Sequence, residues 1–130
     1  MNKKEVYHVI SNTHWDREWY QSHEKYLVRL VNLFDRLTDI LETQPGYRFM
    51  TDGQFALVED YLEARPEKRA QIEKFVKNGQ LLIGPWYTQP LQNIVGGEAL
   101  IKNLQTGIEK AEALGGAMRF SYEIDEFGHA

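Results

Sequence analysis

Short hydrophobic segments alternate with longer helical patterns along this 130-residue chain, and that alternation constrains the fold more than any other feature. Segments rich in β-branched and aromatic residues predict four strands, at 5–11, 47–51, 80–84 and 118–124. Helical periodicity predicts helices over about 24–44, 54–64, 66–78 and 97–114. Strands that alternate with helices favour a parallel sheet with flanking helices. We therefore predict one α/β unit with a four-stranded sheet, in which 5–11 is a buried strand.

Polar or aromatic residues follow the carboxyl end of every predicted strand. The four clusters are His14-Trp15-Asp16, Asp52-Gly53-Gln54, Pro85-Trp86-Tyr87 and Asp125-Glu126-Phe127. In parallel α/β sheets, ligands bind beyond the carboxyl ends of the strands. Because the four clusters would reach the same edge of the sheet, the sequence predicts a functional site there.

Composition limits the chemistry of such a site. The net charge of −4 at pH 7 argues against nucleic acid, whose binding requires a clustered basic surface. The chain has no cysteine, so a metal ion could be held only by oxygen and histidine nitrogen. The first 14 residues lack the apolar run of a signal peptide, and no later stretch has membrane-spanning length. We therefore expect a cytoplasmic protein without a membrane partner.

His14 and Asp16 stand two residues apart after the first predicted strand. If the extended conformation continues, both side chains leave on one face, about 6–7 Å apart along the chain. That arrangement suits a cation such as zinc, although Asp16 could instead cap a helical turn while His14 packs locally. Asp125 follows the apolar Ile124, where it could serve as a third ligand, a nucleophile or a helix cap.

Aromatic residues near the strand ends could line a sugar pocket. They are Trp15, Trp19, Trp86, Tyr87 and Phe127. Flat apolar faces beside a few polar groups suit the C–H faces of sugar rings. Any one of these rings could also pack in the core, but their repeated position after strand ends favours at least two in the pocket.

Other polar residues near these strand ends leave more than one interpretation open. Asp52 and Gln54 could contact a substrate, or they could simply belong to the turn at Asp52-Gly53. Arg17 could pair with Glu18, orient a carboxylate or bind an anionic substrate.

The motifs of this chain resemble those of glycoside hydrolase family 38, the retaining α-mannosidases. They are HVISNTHWDREWY, TDGQ, IGPWYTQP, GGEALIKNL and YEIDEFGH, in this order. The set is most similar to the bacterial branch that includes mannosylglycerate hydrolases. The resemblance implies that residues 1–130 form the N-terminal portion of a catalytic α/β domain, which in this family is a seven-stranded β/α barrel.

The resemblance also implies a role for several residues. Asp125 matches the nucleophile that forms a covalent mannosyl intermediate. His14, Asp16 and Asp125 match ligands of a divalent cation, usually zinc, which would bind the 2- and 3-hydroxyls of the sugar. Trp19 and Phe127 match aromatic residues around the mannose.

The acid/base aspartate and a further histidine ligand of the family have no counterpart in residues 1–130. We therefore expect that this chain alone does not hydrolyse mannosides and that it self-associates through an exposed sheet edge. A metal-dependent carbohydrate deacetylase is an alternative, since it needs metal-activated water but no covalent intermediate. A non-catalytic sugar-binding or metal-binding module is the other alternative.

Overall fold

The computed structural model describes residues 4–128 and shows a three-stranded parallel sheet flanked by helices. The strands are β1 (Ser11–Asn12), β2 (Phe49–Met50) and β3 (Leu81–Leu82), and they lie side by side in that order. Ser11 is the partner of Phe49, which is in turn the partner of Leu81. The α/β class and the parallel pairing are therefore confirmed.

The helices agree closely with the sequence pattern. They are α1 (His23–Thr43), α2 (Ala56–Ala64), α3 (Arg69–Lys77) and α4 (Gly97–Leu114), and a short 3₁₀ helix, Pro66–Lys68, leads into α3. Gly115 ends α4 with a φ of 131°, a conformation that glycine adopts without strain. No helix within residues 4–128 is both long enough and apolar enough to cross a membrane.

The hydrophobic core lies between the sheet and the helices. On α1, apolar residues at three- and four-residue spacing face inward, among them Leu30, Phe34 and Leu41. Phe34 stacks on Tyr61 of α2, with ring centroids 4.8 Å apart, and both side chains are fully buried. This packing joins α1 to α2 within a core that also includes Phe49 of β2 and Leu81 of β3.

The prediction of a buried strand over residues 5–11 is wrong. Only Ser11 and Asn12 pair with a neighbouring strand, and residues 5–10 are exposed, with Val9 at 87%. Strand-forming residues favour a pleated, half-buried surface but do not create one without a partner. Within the described part of the chain, β1 has a neighbour on one side alone.

The predicted fourth strand, 118–124, is also absent. Met118 donates its N–H to the carbonyl of Ile83 at 2.9 Å, and the chain then bends at residues 119–120. Beyond the bend, side chains rather than a backbone ladder hold this segment. The sheet therefore has three strands instead of four in residues 4–128.

Candidate functional site

A cavity of about 410 Å³ opens beyond the carboxyl ends of the strands. Residues 14–19 after β1 form one side of it, and residues 124–126 form another. The remaining side is formed by Gln54, Thr88, Gln89 and Leu91. Asp52 after β2 therefore meets His14 after β1 at one edge of the sheet, as parallel topology predicts. Asp125 reaches the same place without a strand directly before it.

A buried carboxylate fixes the imidazole of His14. Nδ1 of His14 lies 2.6 Å from Oδ2 of Asp52, whose side chain is fully buried. Because a carboxylate oxygen accepts, Nδ1 donates this hydrogen bond, and in the neutral imidazole the lone pair then lies on Nε2. Burial raises the pKa of the Asp52 carboxyl, and the His14 imidazole opposes that rise. Asp52 thus acts on His14 directly, whereas its predicted contact with substrate stays a prediction.

Two further carboxylates face Nε2 of His14. Oδ1 of Asp16 lies 3.8 Å from this nitrogen, and Oδ2 of Asp125 lies 3.7 Å from it. The structure thus brings the three predicted metal ligands together. Two ligand atoms that lie about 2.0–2.1 Å from a tetrahedral zinc ion are about 3.3 Å apart. The distances from Nε2 of His14 to the two carboxylate oxygens are slightly longer than this ligand-to-ligand distance. In keeping with that spacing, no group of three or more His, Asp or Glu side chains in residues 4–128 is placed to hold a metal ion.

The segment between β1 and α1, which carries His14 and Asp16, contains no helix or strand. Side-chain contacts hold it in place. Arg17 donates two hydrogen bonds to the buried carboxylate of Asp60 on α2, both at 2.8 Å. Gln54 donates its amide N–H to the carbonyl of Trp15 at 3.1 Å. Of the roles left open for Arg17, the structure thus shows pairing with a carboxylate on another element.

The segment that carries Asp125 is held in a similar way. Nε1 of Trp86 donates to the hydroxyl of Ser121 at 2.7 Å. Nε2 of Gln89 donates to the carbonyls of Asp52 and Tyr122. Asp125 has a φ of 57°, and its side chain is 68% exposed, so its carboxylate can meet a molecule in the cavity.

Gln89 and Glu126 also line the cavity, and the sequence reasoning assigned neither a role. Within the described residues, neither carboxylate oxygen of Glu126 has a hydrogen-bond partner. Burial raises the pKa of Glu126 to about 7, and the charge of Glu123 adds to this rise. In the sequence, the sole signal for a role of Glu126 was its position beside Asp125. No feature of the PWYTQP motif indicates that Gln89 bridges two segments.

The aromatic residues divide into two groups. Trp19 lines the cavity and is 75% exposed. Trp86 is buried against Ser121, and the hydroxyl of Tyr87 donates to Glu59 on α2 at 2.7 Å. Phe127 is 62% exposed and lies outside the cavity lining. Trp15 also lines the cavity, so two of the five rings lie there, in agreement with the expectation of at least two. Contact of Trp86, Tyr87 and Phe127 with substrate stays a prediction.

This α/β domain holds an imidazole on a buried carboxylate and places two more carboxylates beyond the ends of its strands. These are features of a domain that binds a polar ligand or catalyses hydrolysis. The chain belongs to glycoside hydrolase family 38, whose N-terminal domain profile, "Glycosyl hydrolases family 38 N-terminal domain", matches residues 4–130. The predicted family is therefore confirmed. His129, within the YEIDEFGH motif, lies outside the described residues.

Individual relatives agree with this assignment. The chain is 41% identical over 127 residues to a protein of Halalkalibacterium halodurans named "Putative mannosylglycerate hydrolase", covering 96% of this chain and 14% of that protein. The solved structure of an α-mannosidase from Enterococcus faecalis V583 is similar, with a TM-score of 0.78, 35% identity and coverage of 84% of this chain.

A second Enterococcus faecalis structure, of a protein in glycosyl hydrolase family 38, has a TM-score of 0.77 and 31% identity, over 86% of this chain. The chain spans 12% and 13% of the length of the two solved proteins.

Proposed function

We propose that this chain is part of a retaining α-mannosidase that hydrolyses terminal α-mannosyl linkages through a covalent mannosyl-Asp125 intermediate. The observation that carries the proposal is the position of Asp125, whose Oδ2 lies in the cavity 3.7 Å from Nε2 of the fixed His14. The names of the relatives, an α-mannosidase and a mannosylglycerate hydrolase, support the substrate class.

A retaining glycosidase uses two carboxyl groups about 5–5.5 Å apart, one as nucleophile and one as acid/base. We assign the nucleophile to Asp125, whose exposed carboxylate can reach the anomeric carbon of a bound sugar. Attack by a carboxylate oxygen forms the glycosyl ester while the aglycone oxygen leaves with a proton from the acid. Water then gives a proton to the same acid/base group and attacks the same carbon, which releases mannose and restores the Asp125 carboxylate. Trp19 would offer its ring to the apolar face of the sugar.

We also propose that His14, Asp16 and Asp125 help to hold a divalent cation, with zinc as the first candidate. The donor set is one of imidazole nitrogen and carboxylate oxygens, which zinc accepts. When bound, the cation would bind and polarise hydroxyl groups of the sugar. The hydrogen bond from Nδ1 to Asp52 orients the ring so that Nε2 of His14 faces the same space as the carboxylates of Asp16 and Asp125.

The three parallel strands are proposed as part of a seven-stranded β/α barrel, with residues 1–130 as the N-terminal portion of the catalytic domain. The acid/base carboxyl and a further ligand would come from outside these residues. General acid catalysis typically contributes about 10²–10⁴-fold, so residues 1–130 alone should not turn over mannosides. We also propose that the isolated piece self-associates through the exposed edge of β1.

An activity assay with a matched pair of variants tests this function. Full-length protein is incubated with an aryl α-mannoside and zinc, and aryl release is measured for wild type, Asp125→Asn and Asp39→Asn. Asp39 is exposed on α1, far along the chain from the cavity residues, so it controls for the loss of one carboxylate.

We expect Asp125→Asn to lower turnover by more than about 10³-fold, the scale seen when a nucleophile is removed. Asp39→Asn should behave as wild type. Turnover by Asp125→Asn within a few-fold of wild type would show that Asp125 is not the nucleophile. Release of acetate from an acetylated sugar, with no mannosidase activity in wild type, would favour the deacetylase alternative.

A further inference from the structure

The backbone that carries Asp125 packs against the turn after β2, although no strand pairing joins the two. A Cβ placed on Gly53 would lie 2.6 Å from the carbonyl oxygen of Tyr122, which is closer than such atoms approach. Gly53 also has a φ of 73°. The absence of a side chain at this position therefore lets the Tyr122 carbonyl lie directly on the turn that contains Asp52.

Gln89 bridges the same two segments from the loop after β3. Its Nε2 donates to the carbonyl of Asp52 and, at 3.1 Å, to the carbonyl of Tyr122. A primary amide has two N–H donors, and here each has a carbonyl on a different segment. Asp52 holds His14 through its side chain, and Tyr122 lies three residues before Asp125. One amide group thus connects the two sides of the cavity.

We propose that Gln89 is a positioning residue. Together with Gly53 it forms a contact, here named the Gly53–Gln89 joint, that sets the separation between His14 and Asp125. The catalytic consequence rests on the proposed function, because it requires that Asp125 is the nucleophile. The geometric consequence does not, since it concerns the distance between two side chains of this chain.

Two substitutions perturb the joint by different physical means. Gln89→Glu preserves the shape of the side chain but turns a donor into a carboxylate that faces two carbonyl oxygens, and like partial charges repel. Gly53→Ala places a methyl group against the Tyr122 carbonyl and strains a left-handed backbone. Both should move residues 122–127 away from the turn, and because they act on one separation their effects should not add.

The test uses full-length protein and combines crystal structures with kinetics on an aryl α-mannoside. The variants are Gln89→Glu, Gly53→Ala and their double variant, and the control is Gln105→Glu, the same chemical change at an exposed position on α4. We expect the distance from His14 Nε2 to Asp125 Oδ2 to increase by about 1 Å in both single variants, a shift that can cost about 10²-fold in rate.

In kinetic terms, kcat should fall about 10–100-fold, with little change in KM, and the double variant should be no worse than the more damaged single variant. Gln105→Glu should match wild type. If Gln89→Glu does not fold, Gly53→Ala and Gln89→Met, which removes the donors without adding charge, provide the same test.

An unchanged distance from His14 to Asp125 would overturn the proposal whatever the activity. A larger distance with unchanged kcat would overturn it as well. A rise in KM alone would assign Gln89 to substrate contact instead of positioning. If the wild type cleaves no mannoside, the proposed function fails, and the distances in the variants alone then decide whether the joint positions Asp125.

Discussion

The helix-packed side of this chain and its strand-end side are built from different interactions. On the helix-packed side, Phe34, Tyr61 and Phe75 are fully buried among apolar neighbours. On the strand-end side, residues 13–22 and 119–128 contain no helix or strand and are held mainly by polar side-chain contacts such as that of Arg17 with Asp60. Apolar packing thus provides most of the stability, while individual polar contacts set the geometry of the site.

This division predicts that substitutions on the two sides have separable effects. Truncation of a buried aromatic side chain costs about 3–5 kcal/mol, whereas loss of one neutral hydrogen bond costs about 0.5–1.5 kcal/mol. Core substitutions should therefore change stability and leave the site intact. Substitutions at the strand ends should change activity while stability changes much less.

Phe34→Ala should have the largest effect on stability. The ring stacks on Tyr61 and is fully buried, so its removal should lower the free energy of unfolding of this domain by about 3–5 kcal/mol. Denaturant unfolding of the full-length protein measures the loss, and kcat per folded molecule should not change. A variant that kept its stability but lost kcat would show that the core also sets the geometry of the site.

Asp52→Asn should show the opposite behaviour. Asparagine tolerates the φ of 58° at this position and keeps an oxygen that can accept from His14, so the fold should persist. Loss of the charge behind the imidazole should lower metal affinity or kcat/KM about 10–100-fold. Zinc titration and steady-state kinetics measure the two quantities. Wild-type values of both would show that Asp52 has only a structural role.

Arg17→Ala should have an intermediate effect, because it leaves the buried carboxylate of Asp60 without its partner. We expect a loss of stability of about 1–3 kcal/mol. Arg17→Lys should recover only part of it, since lysine cannot form two parallel hydrogen bonds to one carboxylate. Thermal unfolding of both variants measures this, and full recovery by lysine would show that the charge matters more than the paired geometry.

Glu59→Gln should have the smallest effect, and that effect should depend on pH. Burial alone would raise the pKa of Glu59, but hydrogen bonds from Lys110 and Tyr87 outweigh burial and lower the pKa below its ordinary 4.5. A lowered folded pKa contributes stability that is present above pH 4.5 and is lost as the pH falls through the folded value.

Wild type should therefore be more stable than Glu59→Gln at pH 7, by less than about 1 kcal/mol because the pair is partly exposed to solvent. The difference should vanish as the pH falls well below 4.5. Unfolding curves at several pH values measure it. A difference that grew on acidification would contradict the assigned ion pair.

The helix-packed side could be predicted from the sequence, and the strand-end side only in part. The apolar spacing of α1 and the Pro45-Gly46 pair that follows it in the sequence are local signals. The helix accordingly begins and ends within a residue of the predicted bounds. The strands at 5–11 and 118–124 could not be judged locally, because strand pairing depends on neighbours that are distant in sequence.

The same contrast holds for the site. The convergence of His14, Asp16 and Asp52 follows from the common direction of the parallel strands β1 and β2, which the sequence pattern reveals. Asp125 lies beside them although no strand directly precedes it, so strand direction does not explain its position. The direction of the Trp86 ring depends on the local backbone and on its hydrogen bond to Ser121. The bridging role of Gln89 depends on where Tyr122 lies, and no residue pattern encodes that.

The most direct test of the central claim is to trap the covalent intermediate. Full-length protein is treated with a fluorinated mannosyl reagent that forms the glycosyl ester but resists its hydrolysis, and the labelled peptide is identified by mass spectrometry. We expect one mannosyl adduct per active site, on the carboxylate of Asp125. An adduct on another residue, such as Glu126, or an active enzyme that forms no adduct, would contradict it.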